Sequence, residues 1–270
     1  MPAPAPSARG LGFPDPGTGL LSMFVLFTDF GLEGPYIGQV KAVLWQGAAD
    51  RPVIDLLSDA PPFDPRSGAY LLAAYAAAMP PGSLVLGVVD PGVGGPRRAL
   101  AVEAGGRWLL GPDNGLLAIA ARRAGDARVW QVDWPEPGIS ASFHGRDVFA
   151  PLALRLARGE PPPGREVPRD SMIGADWPED LDRIVYIDRF GNAMTGLRAA
   201  ALAPDATLEA GGRALARAES FFQVPAGAAF WYENANGLAE IAVNQGRADR
   251  ALGLGVGTAV RIVAGSRSED

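Results

Sequence analysis

The 270-residue chain contains no cysteine and a single histidine. The first absence excludes disulfides, thiolate zinc sites and cysteine nucleophiles. The second excludes a multi-histidine metal site, and any imidazole chemistry must run through His144. No uninterrupted apolar run reaches the ~18 residues that a membrane helix needs. Blocks of like charge are also missing, and 24 Lys and Arg stand against 30 Asp and Glu for a net charge of −6. A nucleic-acid role normally requires a basic stripe to displace counterions, so DNA and RNA are disfavoured as partners. The opening MPAPAPSARGLGFPDPGTGLLS has no basic start followed by an apolar core and does not read as a signal peptide. Its Pro, Ala and Gly content predicts a flexible tail over residues 1–22, and Met23 offers a second start. A soluble cytoplasmic protein is expected.

Apolar material is plentiful: 48% of residues are hydrophobic and 20% charged, enough for a sizeable core. The length suits one or two domains. Short β-rich runs alternate with helical patterns in the first half. FVLFT (Phe24–Thr28), PVIDLL (Pro52–Leu57) and SLVLGVV (Ser83–Val89) read as strands. Tyr36, Ile37, Val40, Val43 and Leu44 fall at helical spacing. Asp64-Pro65 offers an N-cap and a first-turn proline for a helix reaching about Met79. Two further strands flank Gly105-Gly106, and helices are expected over Asn114–Arg123 and Asp147–Arg158. This alternation predicts an α/β domain over residues 23–160 with a largely parallel sheet. A proline-rich stretch then opens a linker over 161–181. Beyond it RIVYID, NAMTGL, ATLEA, AAFWYE, LAEIAV and AVRIVA recur with turn signals between them. They predict an all-β domain over 182–270, a small barrel or sandwich.

Ligands of α/β sheets bind just past the carboxyl ends of strands. TDFG (Thr28–Gly31) lies there after the first strand, and Asp29 reads either as a helix cap or as a partner for two vicinal hydroxyls. VDPGVG (Val89–Gly94) follows the third strand, with Arg97 placed to fold back onto Asp90; an ordinary turn with a surface arginine is the alternative. FHGRD (Phe143–Asp147) precedes a helix, where His144 is either a satisfied loop histidine or a working one. Gly253-x-Gly255-x-Gly257 has no helix after it and is not a dinucleotide fingerprint. No P-loop, nucleophile elbow or EF-hand loop is present. The spacing of Asp29, Asp55, Asp59 and Asp90 carries no metal signature.

The ordered set TDFG, VDPGVG, PDNG (Pro112–Gly115), FHGRD and DRFGN (Asp188–Asn192) is far more specific than any one member. It resembles the S-adenosyl-L-methionine (SAM) hydrolases, or SAM hydroxide adenosyltransferases, which share a scaffold with SAM-dependent chlorinase and fluorinase. The resemblance runs from about Phe24 to Val263. It implies an α/β domain followed by a β-barrel domain, and a homotrimer whose active sites lie between subunits. It implies hydrolysis of SAM to adenosine and L-methionine, with no cofactor and no metal. Asp90, Arg97 and His144 match the family's water-handling set, and Asp29 its ribose-binding aspartate. Asp188 matches a partner of the methionine ammonium and Asn192 a hydrogen-bonding partner of adenine, with Phe190 packing on the base. Ala235, in Asn234-Ala235-Asn236-Gly237, stands where the family has a serine that holds the methionine carboxylate; one hydroxyl donor is therefore lost. The halogenases replace the histidine of FHGRD, so His144 and Arg97 favour hydrolysis over halogenation. A SAM or adenosine sensor without turnover is the remaining alternative.

Overall fold

The computed structural model of the chain describes residues 23–133 and 138–263. The tail expected over 1–22 lies outside the described residues. Strand β1 (Phe24–Thr28) is buried along its whole length. Its side chains alternate between two cores, Phe24 and Leu26 in one, Val25 and Phe27 in the other, the two-residue period of a strand covered on both faces. Helices α1 (Tyr36–Gly47) and α4 (Ala150–Ala157) cover the first face with Val40, Leu44 and Leu152. Helices α2 (Pro65–Ala76) and α3 (Ala118–Ala124) cover the second with Tyr70, Leu71 and Ile119. Asp64 caps α2 as its spacing predicts: its carboxylate accepts from the Ser67 N–H at 3.0 Å, with Pro65 in the first turn. The helix ends at Ala76, one turn short of Met79.

The other strands of this layer are β2 (Val53–Leu57), β3 (Leu84–Val88), β4 (Ala99–Ala104), β5 (Arg107–Pro112), β6 (Arg128–Val132) and β7 (Gly164–Val167). Their order is β2-β1-β3-β5-β4-β6-β7. Neighbours are parallel from β2 to β5 and antiparallel from β5 to β7. The sheet is therefore mixed, where a largely parallel one was expected. The cause is local: Gly105 and Gly106 both adopt positive φ, +55° and +71°, in a two-residue turn that folds β5 back on β4. Strands β6 and β7 then extend the antiparallel half, and β7 falls within the segment 161–181.

The remaining strands form two antiparallel sheets. One has the order β12-β13-β9-β8, from β8 (Leu181–Ile187), β9 (Ala193–Arg198), β12 (Ala229–Glu233) and β13 (Leu238–Val243). The other has the order β11-β10-β14, from β10 (Thr207–Ala210), β11 (Arg213–Leu215) and β14 (Arg261–Val263). Between the sheets, isolated bridges pair Arg183 with Ala259 and Arg217 with Trp231. These strands thus form two sheets rather than one closed barrel among the described residues, those of the second being only three or four residues long. Trp231 is fully buried in the core between them and donates its indole N–H to the Ala206 carbonyl at 2.9 Å. The outer face of the four-stranded sheet packs on α2: Leu181, Val185 and Leu238 join the α2–α3 core, and the Tyr70 hydroxyl donates to the Pro178 carbonyl at 2.6 Å. Among the described residues no helix is long and apolar enough to cross a membrane.

Candidate active site

The order β2-β1-β3 means that the chain leaves β1 toward one side and later returns on the other. The crevice at the carboxyl ends of β1 and β3 is thus a topological switch point, where open α/β sheets bind ligands. Asp29 follows β1 and Asp90 follows β3 by two residues. Each was singled out from its motif, and the pairing of β1 with β3 brings the two motifs side by side.

Arg97 folds back onto Asp90 across the glycine turn. Its Nε lies 2.8 Å from both carboxylate oxygens, and its Nη2 also donates to Oδ2. The same Nη2 lies 2.9 Å from His144 Nδ1. Guanidinium is a donor only, so Nδ1 accepts and the neutral ring carries its proton on Nε2. Burial lowers the His144 pKa below its ordinary 6.5, the Arg97 charge lowers it further, and Asp90 and Asp147 oppose both. Side-chain exposure of Asp90 is only 4% and that of Arg97 11%, so the pair is shielded from solvent.

Aromatic packing brings the His144 loop to the Asp29 loop. Phe30 and Phe143 meet edge to face with centroids 5.8 Å apart, and Tyr36 meets Phe143 the same way at 5.4 Å. Arg146 stacks on Phe143 and forms an ion pair with Asp147, whose carboxylate also accepts from the Ser140 N–H. A π-helical turn, Gly145–Phe149, leads from there into α4. Gly94 seals the junction of the Asp90 and His144 loops. Its φ is +78°, and a Cβ there would stand 2.2 Å from the Ala141 carbonyl oxygen.

PDNG supports this arrangement from below. Asn114 donates from its amide to the Val89 carbonyl at 2.8 Å, bracing the residue before Asp90. Asp113, 3% exposed, accepts from Arg98 Nε at 2.7 Å and from the Ile173 N–H at 2.9 Å. Adjacent arginines thus serve different aspartates, Arg97 pairing with Asp90 in the crevice and Arg98 with Asp113 beneath it.

Asp29 accepts from the Phe63 N–H at 3.1 Å. Its pKa is raised, chiefly by burial, with the Phe63 hydrogen bond opposing and the Asp90 charge adding to the rise. Asp29, Phe63, Asp90, Phe143 and His144 line one cavity of about 100 Å³.

Asp188, Phe190 and Asn192 line a different and more open cavity of about 640 Å³, together with Tyr232 and Arg247. In the turn after β8 the Asp188 carboxylate accepts from the Asn192 backbone N–H at 2.8 Å and from its side-chain amide at 3.1 Å. The Phe190 ring is 74% exposed. Ala235 sits in an exposed turn after β12, and buried Asn234 holds that turn by accepting from the Asn236 and Leu238 N–H groups. Within one chain the first cavity gathers Asp29, Asp90 and His144, and the second gathers Asp188, Phe190 and Asn192. No residue lines both.

Sequence reasoning missed Glu240. It is 2% exposed, accepts from the Tyr232 hydroxyl at 2.6 Å and from the Asn234 amide at 2.8 Å, and stands beneath the second cavity. Burial raises its pKa, and those two hydrogen bonds oppose the rise. The signal was a lone carboxylate inside the otherwise apolar run LAEIAV. Among the described residues no cluster of three or more histidines and carboxylates is placed to hold a metal ion.

Comparison with known proteins places this arrangement in context. An (R)-S-adenosyl-L-methionine hydrolase of Thermus thermophilus is 42% identical over 254 residues, covering 87% of this chain and 97% of that protein. One from Salinispora tropica is 36% identical, covering 88% and 96%. The crystal structure of an uncharacterised conserved protein from Thermotoga maritima superposes with a TM-score of 0.80 at 28% identity, over 89% of this chain and all of that one. That of a conserved hypothetical protein from T. thermophilus gives 0.72 at 40% identity, over 90% of this chain and all of that one. Family models match residues 24–165 as the SAM hydroxide adenosyltransferase N-terminal domain and 182–261 as its C-terminal domain. The chain belongs to the SAM hydroxide adenosyltransferase family.

Proposed function

We propose that the chain hydrolyses (R)-S-adenosyl-L-methionine to adenosine and L-methionine. The observation that carries this reading is the Asp90–Arg97–His144 constellation beside Asp29 at the switch point. Asp29 holds the ribose hydroxyls. Water attacks the ribose 5′ carbon in line with the sulfonium: the O–C5′ bond forms, the C5′–S bond breaks, and its electron pair returns to sulfur. The leaving group is a neutral thioether and needs no acid, so the reaction as written requires no cofactor. The chemistry rests on alignment and partial desolvation of the nucleophile. Asp90 orients the water and takes its proton. Arg97 fixes both Asp90 oxygens, and the His144 Nε2–H is a donor for the developing hydroxide charge.

In this reading the second cavity binds the rest of the substrate. Phe190 packs on adenine, Asn192 hydrogen-bonds it, and Asp188 meets the methionine ammonium. Backbone amides of the Ala235 turn replace the missing serine hydroxyl. The halves come together between subunits of a homotrimer, the α/β domain (23–160) of one chain facing the β domain (182–270) of the next. Exposed apolar side chains flank each half, Leu32 at 83% and Phe63 at 77% beside the first, Phe222 at 99% beside the second. A contact between unlike patches closes into a ring when its rotation permits. We read the enzyme as cytoplasmic.

The test is chromatography of products after incubation with each sulfonium epimer, with and without chloride and fluoride. Equal adenosine and methionine, independent of halide and faster from the (R) epimer, is the expected result. Chloride-dependent 5′-chloro-5′-deoxyadenosine would make it a halogenase. Bound adenosine without turnover would make it a sensor.

A further inference from the structure

Glu240 lies in the middle of β13, opposite Tyr232 on β12. Its neighbours Ala239 and Ile241 belong to the core between the two sheets, so Glu240 rises from the opposite face, where it is 2% exposed. Its two oxygens have different neutral partners: Oε1 accepts from the Tyr232 hydroxyl at 2.6 Å and Oε2 from the Asn234 amide at 2.8 Å. A buried carboxylate held by neutral donors costs stability relative to an apolar side chain in the same place. Its value must lie in what it orients.

The Asn234 amide is fixed, because its Oδ1 accepts from the Asn236 and Leu238 N–H groups and leaves Nδ2 for Glu240. One Glu240 oxygen is thus committed to Asn234 and the other to Tyr232. A phenol has a single proton to give. With that proton directed to Glu240, Tyr232 offers only lone pairs to the cavity that it lines with Asp188. Edge-to-face contact with Phe221, centroids 5.2 Å apart, holds the ring in place. Burial, then the hydrogen bond and charge of Glu240, hold the Tyr232 pKa above its ordinary 10, so the phenol keeps its proton.

Asp188 is already engaged on both oxygens, by the Asn192 backbone N–H and by its side-chain amide. A primary ammonium brings three donors and has no acceptor, so it calls for more than one such group. We propose that Tyr232 is a second acceptor for the ammonium of the methionine half of the substrate, and that Glu240 is the positioning residue that keeps the phenol turned to receive it. The proposal deepens the functional reading above and rests on its assignment of the ammonium to Asp188.

The test is calorimetric binding of S-adenosyl-L-homocysteine, its analogue without the α-amino group, and adenosine, alongside kcat and KM for SAM. None of the three ligands carries the sulfonium, so binding is read without turnover. The wild type is expected to bind the amine ~10-fold or more tighter than its deamino analogue. Tyr232→Phe removes the hydroxyl alone. It is expected to lower that ratio ~3-fold or more, to raise KM by a larger factor than kcat falls, and to leave adenosine binding within ~2-fold. In Glu240→Gln the fixed Asn234 amide claims the new carboxamide oxygen, so the nitrogen faces the Tyr232 oxygen and turns the phenol proton toward the cavity. This variant is expected to lower the ratio at least as far as Tyr232→Phe does. A wild-type ratio kept in either variant overturns the proposal, as does equal weakening of all three ligands, the mark of a merely structural role. Should both variants fail to fold, the wild-type series decides: a deamino analogue that binds as tightly as the amine overturns it. Wild-type protein that binds none of the three ligands removes the underlying reading of the second cavity, a result distinct from an unchanged ratio.

Discussion

The contact between Arg97 and His144 reverses the usual expectation for a histidine near a carboxylate. Asp90 alone would raise the imidazole pKa, but Arg97 stands between them and uses the ring as an acceptor. Protonation would place a second cation against the guanidinium. The folded pKa lies below the ordinary 6.5, so the unfolded chain binds this proton more readily. The stability contributed by His144 is therefore complete above about pH 6.5 and lost as pH falls through the folded value. Activity should show an acid limb below pH 6.5 in kcat/KM, and Tm of His144→Gln should fall less steeply with acid than that of wild type. An acid limb centred above 6.5 would contradict this environment. His144→Ala and Asp90→Ala should each lower kcat by ~10²–10⁴-fold while KM moves little, because in the proposed mechanism both act most strongly on the transition state. Equal losses in binding and turnover would remove them from the chemistry. At this scale the motifs made Asp29, Asp90, Arg97 and His144 legible, yet spacing alone left cap, turn and loop readings open. Glu240 escaped because it is a single carboxylate in an otherwise apolar strand, and only the register with Tyr232 shows which groups meet it.

Elements were legible where local chemistry and tertiary demand agree. Asp64-Pro65 announces α2 because the cap and the fixed φ act within one turn, and Asp64→Ala should cost about 1 kcal/mol of stability by chemical denaturation. FVLFT and SLVLGVV announce strands because both their faces are buried. Strands β6 and β7 went unread: in RVWQV and GREV the polar residues break the two-residue alternation, and the segments become strands by pairing with each other and, for β6, with β4. That pairing extends the antiparallel half that the Gly105-Gly106 turn begins. PDNG shows the limit of a motif without partners, since nothing local tells that Asp113 will meet Arg98 and the Ile173 N–H. Asp113→Ala leaves the Ile173 N–H without its acceptor and Arg98 with only the Ser171 carbonyl, at a nearly buried position. It should cost about 2 kcal/mol and lower Tm more than Asp64→Ala does.

On the scale of the whole molecule, the candidate residues of one chain line two different cavities, which the proposed function takes as two halves of a site. Mixing inactive variants tests whether they complete one another. Asp90→Ala damages only the first half and Asn192→Ala only the second. In a cyclic trimer every mixed ring has one junction where two intact halves meet. Co-refolding equal amounts should restore about a quarter of wild-type activity, because about three quarters of random rings are mixed and each has one native site in three. No recovery would mean that both halves act within a single chain. Phe222→Asp should weaken assembly and activity together, read by light scattering and by turnover at falling protein concentration.

The seam at Gly94 has a consequence for descent. The loops bearing Asp90 and His144 meet main chain to main chain, with no room for a methyl group between them. Side-chain substitution around the crevice leaves that spacing where the backbone put it. A lineage on this scaffold can exchange the reactive groups themselves, but it cannot widen or narrow the gap by small steps. New chemistry here arrives by replacement at positions such as 97 and 144, and intermediate geometries are closed to drift.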